Sequence, residues 1–292
     1  MRYAWIREHQ ADYPVQSMCR VLEVSDSGYY DWRDRPPSER QQRHQQIAQA
    51  AARSYFESHR IYGYRKVHQD LQSAGVPCGE DTVRQVMREN SLRSKVKRKF
   101  VITTDSDHSE PIADNILNRD FSAERPNEKW VADITYIATA EGWLYLAAVM
   151  DLFSRRIVGW AMSENIDAAL ATSALKMAIE QRGPDAGLLH HSDRGVQYAS
   201  GRYQAILKAC QMTCSMSRKG NCWDNAVMEN FFGSVKCEWV EDQVFSTRQA
   251  AKESLFNYIE VFYNHQRRHA SLGYVSPASY EEQYEITRHR AA

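Results

Sequence analysis

The chain lacks the features that would place a protein in a membrane or in an oxidising compartment. None of the apolar runs in its 292 residues approaches the roughly 20 residues that a membrane-spanning helix needs. Its six cysteines show neither the spacing of a disulfide framework nor the paired Cys and His spacing of a zinc site. The opening segment, MRYAWIREHQ, has no apolar stretch after its arginine and does not resemble a secretion signal. We expect a cytoplasmic protein with reduced thiols and no membrane partner.

A net charge is also missing, because 37 Lys and Arg residues balance 37 Asp and Glu residues. The charges are distributed unevenly, however. Residues 36–100 contain 13 basic and 6 acidic residues, and the rest of the chain carries the opposite surplus. The length suits two or three domains, and the 43% apolar and 25% charged residues are typical of globular proteins. This pattern indicates a basic module, which is a candidate for binding nucleic acid, joined to a more acidic one.

The basic module has the pattern of a helix-turn-helix. Apolar periodicity predicts helices at about 41–58, at about 64–74 and from residue 80 onward. In this motif the second helix of the pair can enter the major groove of DNA. Arg84 and Arg88 fall on the outward side of that helix, so we expect them to contact DNA. Helical hairpins that bind nothing share the same pattern.

A run of basic residues follows the third of these helices. Five of the seven residues from 93 to 99 are basic, and such a run favours phosphate contacts without reading sequence. The alternative is a solvated basic linker. The expected DNA contacts in this run are Arg93, Lys95, Lys97, Arg98 and Lys99.

From about residue 127 the pattern changes to alternating strands and helices. Three successive strand patterns predict a meander, and two shorter strands then alternate with helices. The sequence therefore predicts an α/β fold with a mixed five-stranded sheet, preceded by an all-α helix-turn-helix region. The expected segments are an N-terminal helical part at 1–40, the basic domain at 41–101, a linker at 102–125, an α/β core at 126–240, and a C-terminal helix and tail at 241–292.

Three carboxylates stand out in the α/β part. Asp133 lies in the middle of a strand, where Asp is depleted. Asp193 ends the fourth strand, and the carboxyl ends of strands in open α/β sheets are where sites form. Glu229 lies on a helix opposite its apolar face, with small residues beside it. Carboxylates that converge are costly to bury unpaired, and two Mg²⁺ or Mn²⁺ ions would offset that cost and support phosphoryl chemistry. The alternatives are a capping or edge Asp and a solvated Glu.

Several segments closely resemble the second-reading-frame product of bacterial insertion sequences of the IS-three type, a transposase with a retroviral-integrase catalytic core. The likeness covers nearly the whole chain. The segments that carry it are VQSMCRVLEVSDSGYYDWRDRP, HRIYGYRKVHQDL, WVADITYI, YLAAVMDLFSRRIVGW, HHSDRGVQYAS, GNCWDNAVMENFFGSVKCE and YNHQRRHASLGYVSPASYEE.

The resemblance implies a ribonuclease-H-like core with a catalytic and metal-binding triad at Asp133, Asp193 and Glu229. It places the family's DNA-contacting basic residue on Lys236. It also implies Mg²⁺-dependent cleavage at the 3′ ends of the element and strand transfer to target DNA, with two Mg²⁺ ions that Mn²⁺ can replace. The partners implied are double-stranded DNA, further copies of the chain on that DNA in the bacterial nucleoid, and an upstream-frame product, since this chain has no sustained heptads.

Other residues near the triad have less specific patterns. We expect Asn225, His191 and Arg194 to support the site, although packing or solvation explains each of them as well. Asp151 and Asp224 have the pattern of structural carboxylates, Asp151 beside Arg155 or Arg156 and Asp224 as a helix cap. Arg267 and Arg268 are equally balanced between DNA contact and a structural role.

Two other functions fit the same sequence. One is a ribonuclease-H-like nuclease that cuts hybrids or junctions without joining strands. The other is a catalytically idle DNA-binding regulator of transposition.

Overall fold

The structure, a computed structural model, describes residues 1–95 and 111–291, with Cys222 and Ala291 described through their backbone only. Three short helices open the chain: α1 Arg2–His9, α2 Val15–Val21 and α3 Asp26–Asp34. They enclose a small core around Ile6 and Tyr29. The Ser25 hydroxyl accepts a hydrogen bond from Gly28 N at 3.2 Å and caps the start of α3.

The basic module folds into three helices, as the sequence predicts: α4 Glu39–Glu57, α5 Tyr64–Ser73 and α6 Glu80–Glu89. Helix α4 begins with a capping box, in which Ser38 and Gln41 exchange hydrogen bonds between side chain and backbone. Val67 of α5 and Val83 of α6 are fully buried. These contacts hold α5 and α6 in the helix-turn-helix arrangement.

A mixed five-stranded sheet forms the centre of the α/β part, which confirms the predicted fold class. Its strands are β1 Lys129–Thr139, β2 Gly142–Asp151, β3 Ile157–Ser163, β4 Leu189–Ser192 and β5 Thr213–Met216. The strand order is β3-β2-β1-β4-β5. The first three strands are an antiparallel meander, whereas β4 and β5 run parallel to β1. The meander leaves β1 in the centre, next to β4.

Helices cover both faces of the sheet. On one face lie α7 Ala168–Arg182, α8 Val196–Ala199 and α9 Gly201–Ala209, packed against Trp130 and Ala132. On the other lie α10 Ala226–Ser234 and α11 Arg248–Phe256, packed against Val131. A Cβ at Gly159 of β3 would lie 2.3 Å from the carbonyl oxygen of Ala174, so glycine permits the close contact with α7.

The C-terminal part packs back onto the rest of the protein. The backbone continues from α10 as a π-helical segment at Val235–Val240 and from α11 as another at Asn257–Tyr263. The tail ends in a helix that the sequence pattern did not predict, α12 Pro277–Ala291. One hydrophobic cluster joins the basic module, the α10 face of the sheet and the π-helical segments. Within the described ranges, no helix is long and apolar enough to cross a membrane.

Candidate active site

The backbone ladder between β1 and β4 brings two aspartates to one edge of the sheet. The last pair in the ladder is Ala132 with Ser192, and Asp133 and Asp193 each follow that pair by one residue. Neighbouring strands lie about 4.8 Å apart, so parallel pairing places the two carboxylates side by side. The structure thus joins two residues that are distant in sequence.

Each aspartate uses one oxygen to fix its own position. Asp133 Oδ1 accepts a hydrogen bond from Ile134 N at 2.8 Å. Asp193 Oδ1 accepts one from Gly195 N at 2.9 Å. A Cβ at Gly195 would lie 3.0 Å from that Asp193 oxygen, so a side chain there would crowd the carboxylate. The local backbone therefore orients both carboxylates before any ligand binds.

The electrostatics of Asp133 show that it lies among like charges. Burial raises the pKa of Asp133 well above its usual range, and the neighbouring charge of Asp193 raises it further. Glu229 raises that pKa by a smaller amount, and Lys236 lowers it. The charges of Asp193 and Glu229 therefore both act on Asp133, and Asp193 has the larger effect.

Glu229 lies on α10, a different element from the strands that position the two aspartates. Helix α10 packs its Met228, Phe231 and Phe232 side chains into the core and leaves Glu229 exposed in its first turn. Partial burial raises the pKa of Glu229. Since the Glu229 carboxylate is exposed and acts only weakly on Asp133, it is the most loosely held member of the triad.

Lys236 lies in the π-helical segment that continues α10. Its Nζ is 4.3 Å from the centre of the Tyr136 ring on β1, a cation–π contact. Burial lowers the pKa of Lys236, and the charge of Asp133 opposes that effect. The resemblance assigns this lysine to the site, and its electrostatic interaction with Asp133 agrees with that position.

Tyr198 lies close enough to both aspartates to be affected by their charges, and the sequence analysis missed it. This tyrosine of α8 is buried, and its hydroxyl has no hydrogen-bond partner. Burial raises its pKa well above the usual value, with further contributions from Tyr203, Asp133 and Asp193. Its position could have drawn attention to it in the sequence, because it lies five residues after Asp193, in the short helix that follows Gly195.

The turn before α10 is fixed by two buried side chains. Asn225 donates from Nδ2 to the carbonyl oxygen of Ala132 at 3.1 Å, next to Asp133. The Asp224 carboxylate is fully buried and accepts hydrogen bonds from Arg218, Arg119 and Asn115. Asp224 is thus structural, as expected, but through an ion cluster with two arginines that the sequence pattern did not indicate.

The oxygen donors of the site suit a hard divalent cation. Carboxylate and amide oxygens are the ligands that Mg²⁺ and Mn²⁺ prefer, and Asn225 Oδ1 is a buried oxygen with no hydrogen-bond donor. Across the described parts of the chain, no group of three or more His, Cys, Asp or Glu side chains is arranged so that it could hold a metal ion. The donor chemistry fits the predicted ions, although the three side chains are not gathered into one ligand set.

His191 and Arg194, which flank Asp193 along the chain, are held by contacts with β5 and the residue after it. Both ring nitrogens of His191 lie within hydrogen-bond distance of serine hydroxyls, Ser215 at 2.8 Å and Ser217 at 3.2 Å. Burial lowers the pKa of His191 to about 4, so the ring is neutral at pH 7. Arg194 Nε donates to the carbonyl oxygen of Ser217. These contacts tie the residues beside Asp193 to the end of β5.

Known proteins resemble this chain over nearly its full length. It is 44% identical over 267 residues to the insertion element IS600 uncharacterized 31 kDa protein of Shigella sonnei, a match that covers 91% of this chain and 98% of the relative. It is 42% identical over 283 residues to the transposase InsF for insertion sequence IS3A of Escherichia coli (strain K12), covering 96% and 98% of the two chains. This chain belongs to the IS3 family of insertion-sequence transposases.

Family models match this IS3-family chain in three stretches. An HTH-like domain matches residues 42–100. An integrase core domain matches residues 123–222, and a second integrase core model matches residues 229–284. The recognised resemblance is thereby confirmed.

Solved structures of integrases are more distant from this member of the IS3 family. The simian T-cell lymphotropic virus intasome in complex with PP2A regulatory subunit B56 gamma matches at 15% identity and a TM-score of 0.46, covering 79% of this chain and 74% of that one. The catalytic core domain of BIV integrase matches at 16% identity and a TM-score of 0.41, covering 56% and 99%. The family assignment rests on the transposase relatives and the family models.

The predicted DNA contacts of this IS3-family chain differ in their surroundings. Arg84, Arg88 and Arg93 are exposed, and Arg84 pairs with Asp81 of its own helix at 3.0 Å. Lys95 is mostly buried, and its Nζ bonds the carbonyl oxygen of Glu238 at 2.8 Å and the carboxylate of Asp242 at 2.9 Å. The ammonium of Lys95 therefore holds the end of the basic module against the segment that continues α10. The run of basic residues alone did not indicate this contact. Lys97, Arg98 and Lys99 lie outside the described residues.

The two tail arginines have structural roles. Arg267 is buried and forms a two-pronged ion pair with Glu238. Arg268 pairs through Nε with Asp70 of α5 and donates to the carbonyl oxygen of Tyr274. Of the two alternatives for these residues, DNA contact and a structural role, the contacts favour the structural role. Both side chains join separate parts of the IS3-family fold.

Asp151 is structural, as expected, and it has a partner that the sequence did not indicate. Its carboxylate accepts hydrogen bonds from Asn127 N at 2.7 Å and Phe153 N at 2.9 Å. The two predicted arginines in the β2–β3 turn are hydrogen-bonded to its backbone, and its side chain forms an ion pair with Arg182 of α7 at 3.4 Å. Arg182 also pairs with Glu281, which attaches α12 to the core.

Proposed function

We propose that this chain is a Mg²⁺-dependent DNA transposase that cuts the ends of an insertion sequence and joins them to target DNA. The observation that carries the proposal is the pairing of β1 with β4, which sets Asp133 beside Asp193. Glu229 of α10 adds a third carboxylate, and Asp193 and Glu229 each raise the pKa of Asp133. Such mutual repulsion favours the binding of divalent cations.

The proposed ligands are Asp133, Asp193 and Glu229, with either Mg²⁺ or Mn²⁺. Two such ions, when bound, would activate the attacking oxygen and stabilise the leaving oxygen at phosphorus. The chain's own part is to hold the carboxylates: Ile134 N and Gly195 N orient the two aspartates. Asn225 supplies a further contact to β1 at Ala132.

The reaction has two steps that share one site. In the first, a water oxygen attacks the phosphorus at the element end, and the bond from phosphorus to the 3′ oxygen breaks to leave a 3′-hydroxyl and a 5′-phosphate. In the second, that 3′-hydroxyl loses its proton and attacks a target phosphodiester. The target's own 3′ oxygen then leaves and takes up a proton.

DNA is the proposed partner of both modules. Lys236 lies beside the acidic site, where it can neutralise a phosphate, and Arg84, Arg88 and Arg93 offer exposed guanidinium groups on the basic module. Arg98, Lys97 and Lys99 complete the proposed set. Because two element ends must be brought together, we propose that the chain acts as a homo-oligomer on DNA, with an upstream-frame product as a further partner.

The proposal is tested with purified protein, labelled element ends and Mg²⁺. Glu229→Gln keeps the size of the side chain and removes its charge, so it should bind the ends as wild type does and lose cleavage and joining by a factor of about 10² or more, because a metal ligand is missing. Glu282→Gln, on an exposed position of α12, is the matched control and should leave both steps unchanged.

Three results would contradict the proposal. Equal cleavage and joining by the Glu229 variant would remove that residue from the site. Cutting of RNA–DNA hybrids without strand joining would favour a nuclease of the same fold. End binding that is unaffected by Asp133→Asn, with no cleavage by either protein, would favour an idle regulator.

A further inference from the structure

Trp223 presents a large aromatic surface to solvent next to the acidic site. The residue is 67% exposed, compared with 50% for Trp143 and 42% for Trp5, and it is the most exposed of the seven tryptophans. It lies in the single turn of 3₁₀ helix at Cys222–Asn225, directly before the helix that carries Glu229. An isolated exposed apolar side chain is ordinary on a protein surface, so its setting has to decide its role.

The backbone on the C-terminal side of Trp223 is held firmly. Asp224 is fully buried and accepts hydrogen bonds from the backbone and guanidinium groups of Arg218, from Arg119 and from Asn115. Asn225 is 5% exposed and donates to the carbonyl oxygen of Ala132. The indole therefore projects from a turn that is fixed to β1 within one residue of Asp133.

Basic side chains lie on the segments that hold this turn. Arg119 and Arg218 share the single carboxylate of Asp224, and both guanidinium side chains remain nearly half exposed. Lys219 is exposed in the same loop. This combination of cations with an aromatic face matches a nucleic-acid strand.

We propose that Trp223 stacks on a nucleobase of the DNA strand that enters the acidic site, while Arg119, Arg218 and Lys219 bind the flanking phosphates. This inference rests on the proposed transposase function, because it needs DNA at the carboxylates. Stacking on an indole face tolerates any base, so Trp223 positions the strand for attack and does not read its sequence. The fixed turn means that little ordering is needed when the base arrives.

The test is a double-mutant cycle between the protein and the DNA. Duplexes carry the terminal repeat of the element that encodes this chain, with an abasic tetrahydrofuran residue placed in turn at each of the terminal nucleotides. Binding and joining are measured for wild type, Trp223→Ala, Trp223→Phe and Trp5→Ala. The last variant removes an exposed tryptophan from α1, a helix whose buried Ile6 belongs to a separate hydrophobic cluster, and all four proteins are checked by thermal melting.

The expected result is a loss specific to the indole. Trp223→Ala should weaken binding or joining on intact DNA roughly 10-fold or more, the effect of one lost base stack, and Trp223→Phe should recover most of it. At one nucleotide position the abasic substitution should weaken the wild type by a similar factor and cost Trp223→Ala nothing further, since both changes remove the same contact. Trp5→Ala should match the wild type throughout.

Several outcomes would overturn the inference. If the wild type binds and joins DNA but Trp223→Ala equals it, stacking is wrong and the transposase function stands. If the two losses are additive at every position, Trp223 does not contact a base. If Trp223→Ala instead dissociates a DNA-free oligomer, the indole packs against a second copy of the chain. If the wild type neither binds nor cuts the ends, both this inference and the proposed function fail.

Discussion

Asn225 Nδ2 donates a hydrogen bond to the carbonyl oxygen of Ala132, at 3.1 Å, one residue before Asp133 on β1. This contact joins the turn in front of the Glu229 helix to the strand that carries Asp133. It crosses between two elements that no local sequence pattern connects. Together with the core packing of α10, it fixes the position of Glu229 relative to Asp133.

Replacing Asn225 by alanine should loosen the site. The change leaves the Ala132 carbonyl without its donor, which costs about 1–3 kcal/mol of unfolding free energy. Because the turn positions Glu229, the Mg²⁺ concentration for half-maximal cleavage should also rise. A Mg²⁺ titration of end cleavage measures this effect.

Asn264→Ala is the matched control for that variant. Asn264 is also buried, and it exchanges two hydrogen bonds with the backbone of Ile157 on β3. It should lose comparable stability without a shift in the Mg²⁺ dependence. Equal shifts in both variants would mean that Asn225 acts through general stability alone.

Removing the charge of Lys236 should weaken DNA binding in a salt-dependent way. Lys236→Ala removes one cation beside Asp133, so the slope of log affinity against log salt should fall by about one. Fluorescence anisotropy with labelled element ends at several salt concentrations measures the slope. Lys208→Ala, at an exposed position of α9, should leave the slope unchanged; a similar drop there would show that the effect is not specific to the site.

The Asp224 cluster should make the fold sensitive to acid. Hydrogen bonds from Arg218, followed by those from Arg119, lower the pKa of Asp224 below its usual 3.8. The folded state thus favours the ionised form, and the stabilisation is present above about pH 4 and lost as the pH falls below that value. Asp224→Asn should lower stability at pH 7 by roughly 1–3 kcal/mol.

Thermal melting at pH 7 and pH 3 distinguishes this cluster from other acid-sensitive groups. The difference in melting temperature between wild type and Asp224→Asn should be largest at pH 7 and should shrink toward pH 3. A difference that stays constant with pH would contradict the assignment of the ionised carboxylate to the two arginines.

Arg268 should couple the basic module to the tail. Its Nε bonds Asp70 of α5, and its backbone N–H donates to the Tyr62 hydroxyl at 2.8 Å. A double-mutant cycle with Arg268→Ala and Asp70→Ala should give a coupling energy of about 1 kcal/mol, because the pair is largely shielded from water. Denaturant unfolding of the four proteins measures it, and purely additive losses would show that the ion pair contributes nothing to stability.

The sequence by itself determined the fold class and marked three acidic residues as candidates for the site. Alternating apolar residues have a period of two in strands and near 3.6 in helices, so the meander, the helix-turn-helix and the Glu229 helix are readable from local order. Asp133 was conspicuous because Asp is rare in the middle of a strand, and Asp193 and Glu229 by their places at a strand end and opposite an apolar helix face. Motif resemblance then added Lys236 and the expected role of the three carboxylates.

Only the tertiary structure decided which charged and polar side chains pair with one another across distant segments. Basic residues in a run look alike in sequence, yet Lys95 bonds the α10 continuation whereas Arg93 is exposed. The charges of two aspartates from distant parts of the chain both act on Tyr198, and the buried Asp224 pairs with Arg119 and Arg218 from two separate segments. Periodicity reports which face of an element is apolar. The partner of a buried charge depends on which segments the folded chain brings within a few ångströms, and that is a property of long-range packing.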